Sequence, residues 1–306
     1  MAGESAGGLS ACLLLVLPNS SVLFSRVIIE SGGCLAKDWS EAFSQSQSSQ
    51  RAVGCADLSC MQSIPAGDLL NKSDPYGPWA PAINGRELKM QPWQMLSKGN
   101  LGKPALLGTN QHEFSLGMCS LPGFTSKNFS QNLERVFGNL TAQRIASLYP
   151  LQNFQTPTQT YIRIITDWLS TCSAGRWVSG VLAAQSQSVF LYQLSLQPSW
   201  SDPCRGASHE DELPFLFPSS LQPLFPKAGP PTSFEASLGS RLLALWGQFV
   251  AGGPLRSWPL FQLNHSDYLE IGSAGLRSGE NYGGDLCVKF WFKENMPNPW
   301  SHPPLV

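Results

Sequence analysis

Apolar positions along the chain fall into short dense runs and into longer stretches with helical spacing, and the two kinds alternate. Ala6 to Leu17 begins with small residues, continues apolar and is stopped by Pro18-Asn19-Ser20-Ser21, which predicts a helix. Arg26-Val27-Ile28-Ile29-Glu30-Ser31, ending at Gly32-Gly33, is β-branched and apolar, as a buried parallel strand should be. A polar Ser/Gln-rich helix is predicted from Trp39 to Val53, a short loop between Cys55 and Cys60, and another short helix after Pro65. Pro104 to Thr109 reads as a second buried strand and Thr125 to Pro150 as two amphipathic helices. Thr156 to Ser186 is a long helical stretch that Gly175 and Gly180 should interrupt. Val189 to Leu194 is the next strand, Phe234 to Val250 a helix, Tyr268 to Ile271 a short strand, and Leu286 to Asn295 a final helix before a Pro-rich tail. Strands separated by helical crossovers imply an α/β fold, a mostly parallel sheet flanked by helices, with functional residues at the carboxyl ends of its strands. No repeat or charge run divides the chain, so residues 1–306 read as a single domain.

Composition narrows the function classes. With 306 residues, 42% of them hydrophobic, the chain can bury a sizeable core. Charged residues are 13%, about half the usual share, and 20 basic against 21 acidic residues give −1 with no basic block, so nothing draws the chain to nucleic acid or an anionic membrane. Its partners should be neutral or small. Leu9 to Leu17 is too short to span a bilayer, and Glu4, with no Lys or Arg before that stretch, argues against a signal peptide. Eight cysteines without a CxxC or a zinc-like Cys/His spacing suit disulfides better than metal; neither a metal nor a cofactor is expected. Sequons at Asn19, Asn71, Asn128, Asn139 and Asn264, taken with the cysteines, suggest the secretory pathway.

Gly3-Glu4-Ser5-Ala6-Gly7-Gly8 fits the Gly-x-Ser-x-Gly nucleophile elbow, a strained strand-to-helix turn that presents a serine. It fits a flexible glycine-rich terminus equally well, because only Met1 and Ala2 are present to form the preceding strand. In chain order, GESAGG, RVIIESGG, LLGTNQHEFSL, GASHEDELPFLF and CVKFWFKEN resemble the type B carboxylesterase and cholinesterase-like family, with GPWAPAINGREL and SWPLFQLNHSDYLEIG lying where that family's acyl-pocket segment and late strand fall.

The resemblance implies an α/β-hydrolase fold and a serine hydrolase acting on small carboxylic esters. It makes Ser5 the nucleophile, Glu113 the acid and His209 the base. A serine needs an imidazole to take its proton, and the imidazole needs a carboxylate to fix its tautomer. Of the four histidines, His112 adjoins Glu113, His265 lies in a sequon and His302 in the tail, which favours His209. The resemblance also implies that Ala6 donates to the oxyanion, that Glu4 and Ser31 support the acid and histidine, and that Glu212 is a buried carboxylate. Phe114 stands where the family has glycine, so the resemblance does not fix the conformation of that loop. Cys55 should bond Cys60 and Cys172 should bond Cys287; Cys12, Cys34, Cys119 and Cys204 receive no partner. Trp79 and Phe290-Trp291-Phe292 are aromatic enough for pocket walls, but residues of this kind more often form core.

Upstream of Gly3 the family's oxyanion glycine pair and its earlier strands have no counterpart, so the chain resembles a C-terminal part of the fold. It should lack even the strand that carries Ser5, leave the sheet open beside Arg26–Ser31, and be poorly soluble and slow by itself. The full-length form is expected in the ER lumen or secreted. A rival reading is a non-catalytic, cholinesterase-like protein-binding module, which would have no need to keep Ser5, Glu113 and His209 together.

Overall fold

The computed structural model describes residues 1–73, 79–99, 102–119, 124–185 and 188–294. They group into two compact units, Leu35–Met95 and Met1–Cys34 with Leu96–Val306. The larger unit is built on a six-stranded sheet in sequential order: β1 (Ala2–Glu4), β2 (Val27–Glu30), β3 (Ala105–Asn110), β4 (Val189–Leu194), β5 (Tyr268–Gly272) and β6 (Gly275–Gly279). Strands β1 to β5 are parallel; β6 returns antiparallel on β5 through a tight hairpin. Every residue of β2 and β3 is buried, which is why both read as unbroken apolar runs.

One expectation is corrected at the chain start. The strand before Ser5 is present: Ala2, Gly3 and Glu4 pair with Ile28, Ile29 and Glu30, so β2 has a partner on the side expected to be open. Three residues suffice because the Ile28 N–H reaches the Met1 carbonyl and the Ser5 N–H the Glu30 carbonyl, both at 2.9 Å. The helix Ala6–Val16 follows at once.

Alternating side chains send Ile28, Leu106, Tyr192 and Leu194 to one face, where they pack with Leu238, Leu242 and Trp246 of the helix Ser233–Ala251. That helix is fixed at both ends, by a Thr232/Glu235 capping box and by left-handed Gly252. The helix Ala6–Val16 contacts β1 and β2, and helical residues 157–184 contact β3 and β4. Gly175 and Gly180 do not interrupt this second helix, contrary to the sequence reading. It runs as Pro157–Thr166, a π-helical stretch Asp167–Trp177 and Val178–Ala184, and the Tyr282 ring occupies the space a Gly175 side chain would need. A second cluster, with Phe129, Ile145, Tyr161, Trp168 and Trp291, joins this helix to Ser126–Phe137 and Asn139–Leu148. The expected terminal helix is a short turn, Gly284–Leu286, continued by π-helical Cys287–Trp291; the Pro-rich tail lies outside the described residues.

In the smaller unit, Asp38 and Glu41 form a capping box on the helix Trp39–Ala52, and Lys37 bridges Ala82 in an isolated parallel pair. Among the described residues no helix is long and apolar enough to cross a membrane.

Candidate active site

The groups of the site gather beyond the carboxyl ends of four consecutive parallel strands, β1 to β4. Ser5 follows β1 at φ 55° and ψ −117°, a conformation that L-residues rarely adopt and that costs of order 1–3 kcal/mol. Its neighbours explain how the turn closes. A Cβ on Gly3 would strike the Gly7 carbonyl, and a Cβ on Gly8 would lie 2.7 Å from Gly32 Cα and 2.9 Å from the Glu30 carbonyl oxygen. Two glycines therefore let the helix start against the end of β2. A Cβ on Gly7 would meet nothing within 4 Å.

Ser31 follows β2, also at positive φ, and its hydroxyl donates to Glu113 Oε1 at 2.7 Å. The Asn110 N–H at the end of β3 donates to the same oxygen at 2.6 Å. The other carboxylate oxygen lies 2.6 Å from His209 Nδ1, and His209 Nε2 lies 2.7 Å from Ser5 Oγ. In the neutral ring, a carboxylate at Nδ1 holds the proton there and leaves Nε2 free to accept the serine proton. Glu4 Oε1 approaches the same Nε2 at 3.2 Å. Ala6 opens its helix, where a backbone N–H has no intrahelical acceptor. The structure thus brings Ser5, Ala6, Glu4, Ser31, Glu113 and His209 together. Phe114 takes an ordinary conformation (φ −99°, ψ 16°) with its ring against the second cluster, so this loop does not require glycine.

A deeper layer was not anticipated beyond Glu212. Asn110 Nδ2 donates to Glu212 Oε2 at 2.5 Å and to the Ser208 carbonyl at 2.7 Å, tying the segment after β3 to the histidine segment. Glu30 accepts from Trp246 Nε1 at 2.8 Å. The readable sign of this layer was a carboxylate inside the apolar run of β2. Burial pushes Glu4, Glu30 and Asp211 up to about 7 and Glu212 well above its usual range. For His209, burial opposes the charge, but the hydrogen bond and charge of Glu113, then Glu4 and Glu212, outweigh it and push it up to about 10.

These shifts set the sign of the pH dependence of stability. Between the ordinary carboxyl range and about pH 7 the folded chain holds protons that the unfolded chain has lost, so stability falls as pH rises through that window. His209 acts in the same direction from 6.5 upward, while buried His112, lowered by desolvation, opposes it. The melting temperature is expected to be higher at pH 5 than at pH 8, with a flatter slope in Glu30→Gln. A melting temperature that climbs from pH 5 to 8 would contradict this assignment.

Trp79 is exposed in the smaller unit, while Phe290 and Trp291 are core residues of the second cluster. His265 is exposed just before β5, and His302 lies outside the described residues. The asparagines of all five sequons are exposed. Cys55 is bonded to Cys60 and Cys172 to Cys287, and the four cysteines without an expected partner pair as Cys12–Cys34 and Cys119–Cys204.

Comparison with known proteins agrees with this architecture. The chain is 29% identical over 233 residues to a para-nitrobenzyl esterase of Bacillus subtilis (strain 168), covering 70% of this chain and 45% of that protein. It is 24% identical over 304 residues to a cocaine esterase of Homo sapiens (88% and 53%) and 25% identical over 336 residues to an acetylcholinesterase of Bungarus fasciatus (94% and 54%). The chain thus spans about half the length of the curated relatives it matches. A solved thermophylic PNB esterase shares the fold with a TM-score of 0.75 at 23% identity, covering 92% of this chain and 60% of that one. The profile of the carboxylesterase family matches residues 1–287, and the chain belongs to that family.

Proposed function

We propose that this chain carries the nucleophile, base and acid of a serine hydrolase that cleaves small carboxylic esters through an acyl-enzyme. The observation that carries the proposal is the unbroken hydrogen-bonded series Ser5 Oγ, His209, Glu113 at 2.7 and 2.6 Å. Ser5 Oγ attacks the ester carbonyl as its proton passes to His209 Nε2, and Glu113 stabilises the imidazolium. The tetrahedral oxyanion takes the Ala6 N–H. Collapse expels the alcohol, which carries away the proton from Nε2. Water, deprotonated by the same nitrogen, then attacks the acyl carbon, releasing the acid and restoring Ser5. Disulfides and exposed sequon asparagines support a glycosylated form in the ER lumen or outside the cell.

Incubation with p-nitrophenyl acetate tests the reading. Acid quenching should trap one acetyl group on the peptide containing Ser5, and none there in Ser5→Ala. An acetyl group found only elsewhere would overturn it.

The pH profile carries a further expectation. Only neutral His209 can accept the serine proton, so the acid limb of kcat/KM should lie above the ordinary imidazole value of 6.5. Glu4→Gln removes a carboxylate 3.2 Å from Nε2 and should move that limb toward lower pH. A limb that stays in place or moves to higher pH would show that Glu4 does not act on His209.

A further inference from the structure

The Cys119–Cys204 disulfide is placed differently from Cys55–Cys60, which closes a short loop in the smaller unit, and from Cys172–Cys287, whose two cysteines are buried within the second hydrophobic cluster, whereas Cys119 only packs against that cluster. It joins the short helix Ser115–Met118, just past Glu113, to the loop that leads into His209, across a Cα–Cα distance of 5.9 Å. That loop leaves β4 at Leu194 and meets no helix or strand until Leu213. A long irregular segment thus carries a side chain that must stay in register with two others, and a shift of about 1 Å in such a group can cost about a hundredfold in rate.

What holds the loop to the acid segment is a short ladder. The His112 N–H donates to the Ala207 carbonyl at 2.9 Å, Asn110 Nδ2 to the Ser208 carbonyl at 2.7 Å, and Ser115 Oγ to Ser208 Oγ at 2.9 Å. Gly206, at φ 64°, lies so close to the His112 ring that a Cβ there would sit 2.5 Å from Nδ1. The disulfide fastens the far end of this ladder, where residues 202–204 are exposed.

We propose that Cys119 and Cys204 are positioning residues, whose disulfide acts as a covalent strap keeping the His209 loop in register with Glu113. The strap rests on the reading of Ser5, Glu113 and His209 as one catalytic unit, but its geometric part can be measured without catalysis. Cys204 is exposed and Cys119 half-buried, whereas Cys12 and Cys34 are buried. A small dithiol can therefore open this bridge while that one stays closed. The dithiol is oxidised to its cyclic disulfide, and Cys119 and Cys204 each gain a proton as thiols.

The test compares wild type, Cys119→Ser/Cys204→Ser, Cys55→Ser/Cys60→Ser and wild type opened by dithiothreitol, alkylated and mapped at Cys119 and Cys204. The first readout is the low-field proton resonance of the His209 Nδ1–H bonded to Glu113, assigned by its loss in His209→Ala. The second is the rate of Ser5 phosphonylation by a fluorophosphonate. Both forms opened at Cys119–Cys204 should broaden or lose the resonance at temperatures where circular dichroism is unchanged, and should label about tenfold or more slowly. The Cys55→Ser/Cys60→Ser form should match wild type in both. An intact resonance with an unchanged labelling rate in both opened forms would overturn the proposal. Loss of the resonance in a protein whose wild type never labels at Ser5 would uphold the strap and defeat the esterase reading instead.

Discussion

Replacing His209 by alanine is expected to lower kcat for ester hydrolysis about ten-thousand-fold or more, with little change in KM, and to lower the melting temperature most at acid pH, where the raised His209 contributes stability. The size follows from chemistry, since without an acceptor at 2.7 Å the Ser5 hydroxyl must lose its proton to water. The fold itself should survive the change. Glu113 keeps the Ser31 hydroxyl and the Asn110 N–H, both on one oxygen, and the His209 side chain is itself partly exposed. Near-full turnover in this variant would remove His209 from the mechanism, and a collapsed melting curve would make its role structural.

The second large effect concerns the elbow, and it separates two adjacent glycines. Gly8→Ala places a methyl group 2.7 Å from Gly32 Cα and 2.9 Å from the Glu30 carbonyl oxygen. Both neighbours are backbone, so the helix Ala6–Val16 has to lift away from β2. A loss of about 3 kcal/mol or more is expected, against a helix-propensity gain of about 1 kcal/mol. Gly7→Ala has the same propensity gain and no clash, so it should be neutral or stabilising. Thermal or urea melts of the two variants decide the matter. Equal stabilities would mean that the helix and β2 do not approach as described.

The order of strands and helices was legible because β2, β3 and β4 are apolar runs bounded by turn residues, which is what a sheet covered on both faces demands. β1 was not legible, because three residues, two of them Gly3 and Glu4, carry no strand signal and are ordered by pairing with β2. β6 was missed for a similar reason: Gly275-Leu276-Arg277-Ser278-Gly279 is short and largely polar, as an edge strand should be. Gly175 was read as a breaker because propensity is local, whereas the Tyr282 ring that uses its space comes from a distant segment.

At the site, Ser5, Glu113 and His209 could be named because motif, strand end and chain order agree with the family pattern. Asn110 and Glu30 could not. Each looks like an ordinary polar residue at the end of an apolar strand, and its role depends on Glu212 and Trp246, which only the folded sheet brings near. The pairing of Cys12 with Cys34 and Cys119 with Cys204 was likewise out of reach, since four cysteines allow three connectivities and only space chooses among them.

The most direct test of the triad is peptide mapping after reaction of the protein with a fluorophosphonate. The phosphonyl group should be found on the peptide containing Ser5, be absent from it in Ser5→Ala, and form far more slowly in His209→Ala. An unmodified Ser5 peptide in the wild-type protein, or labelling that persists undiminished in Ser5→Ala, would contradict the assignment of Ser5 as the nucleophile.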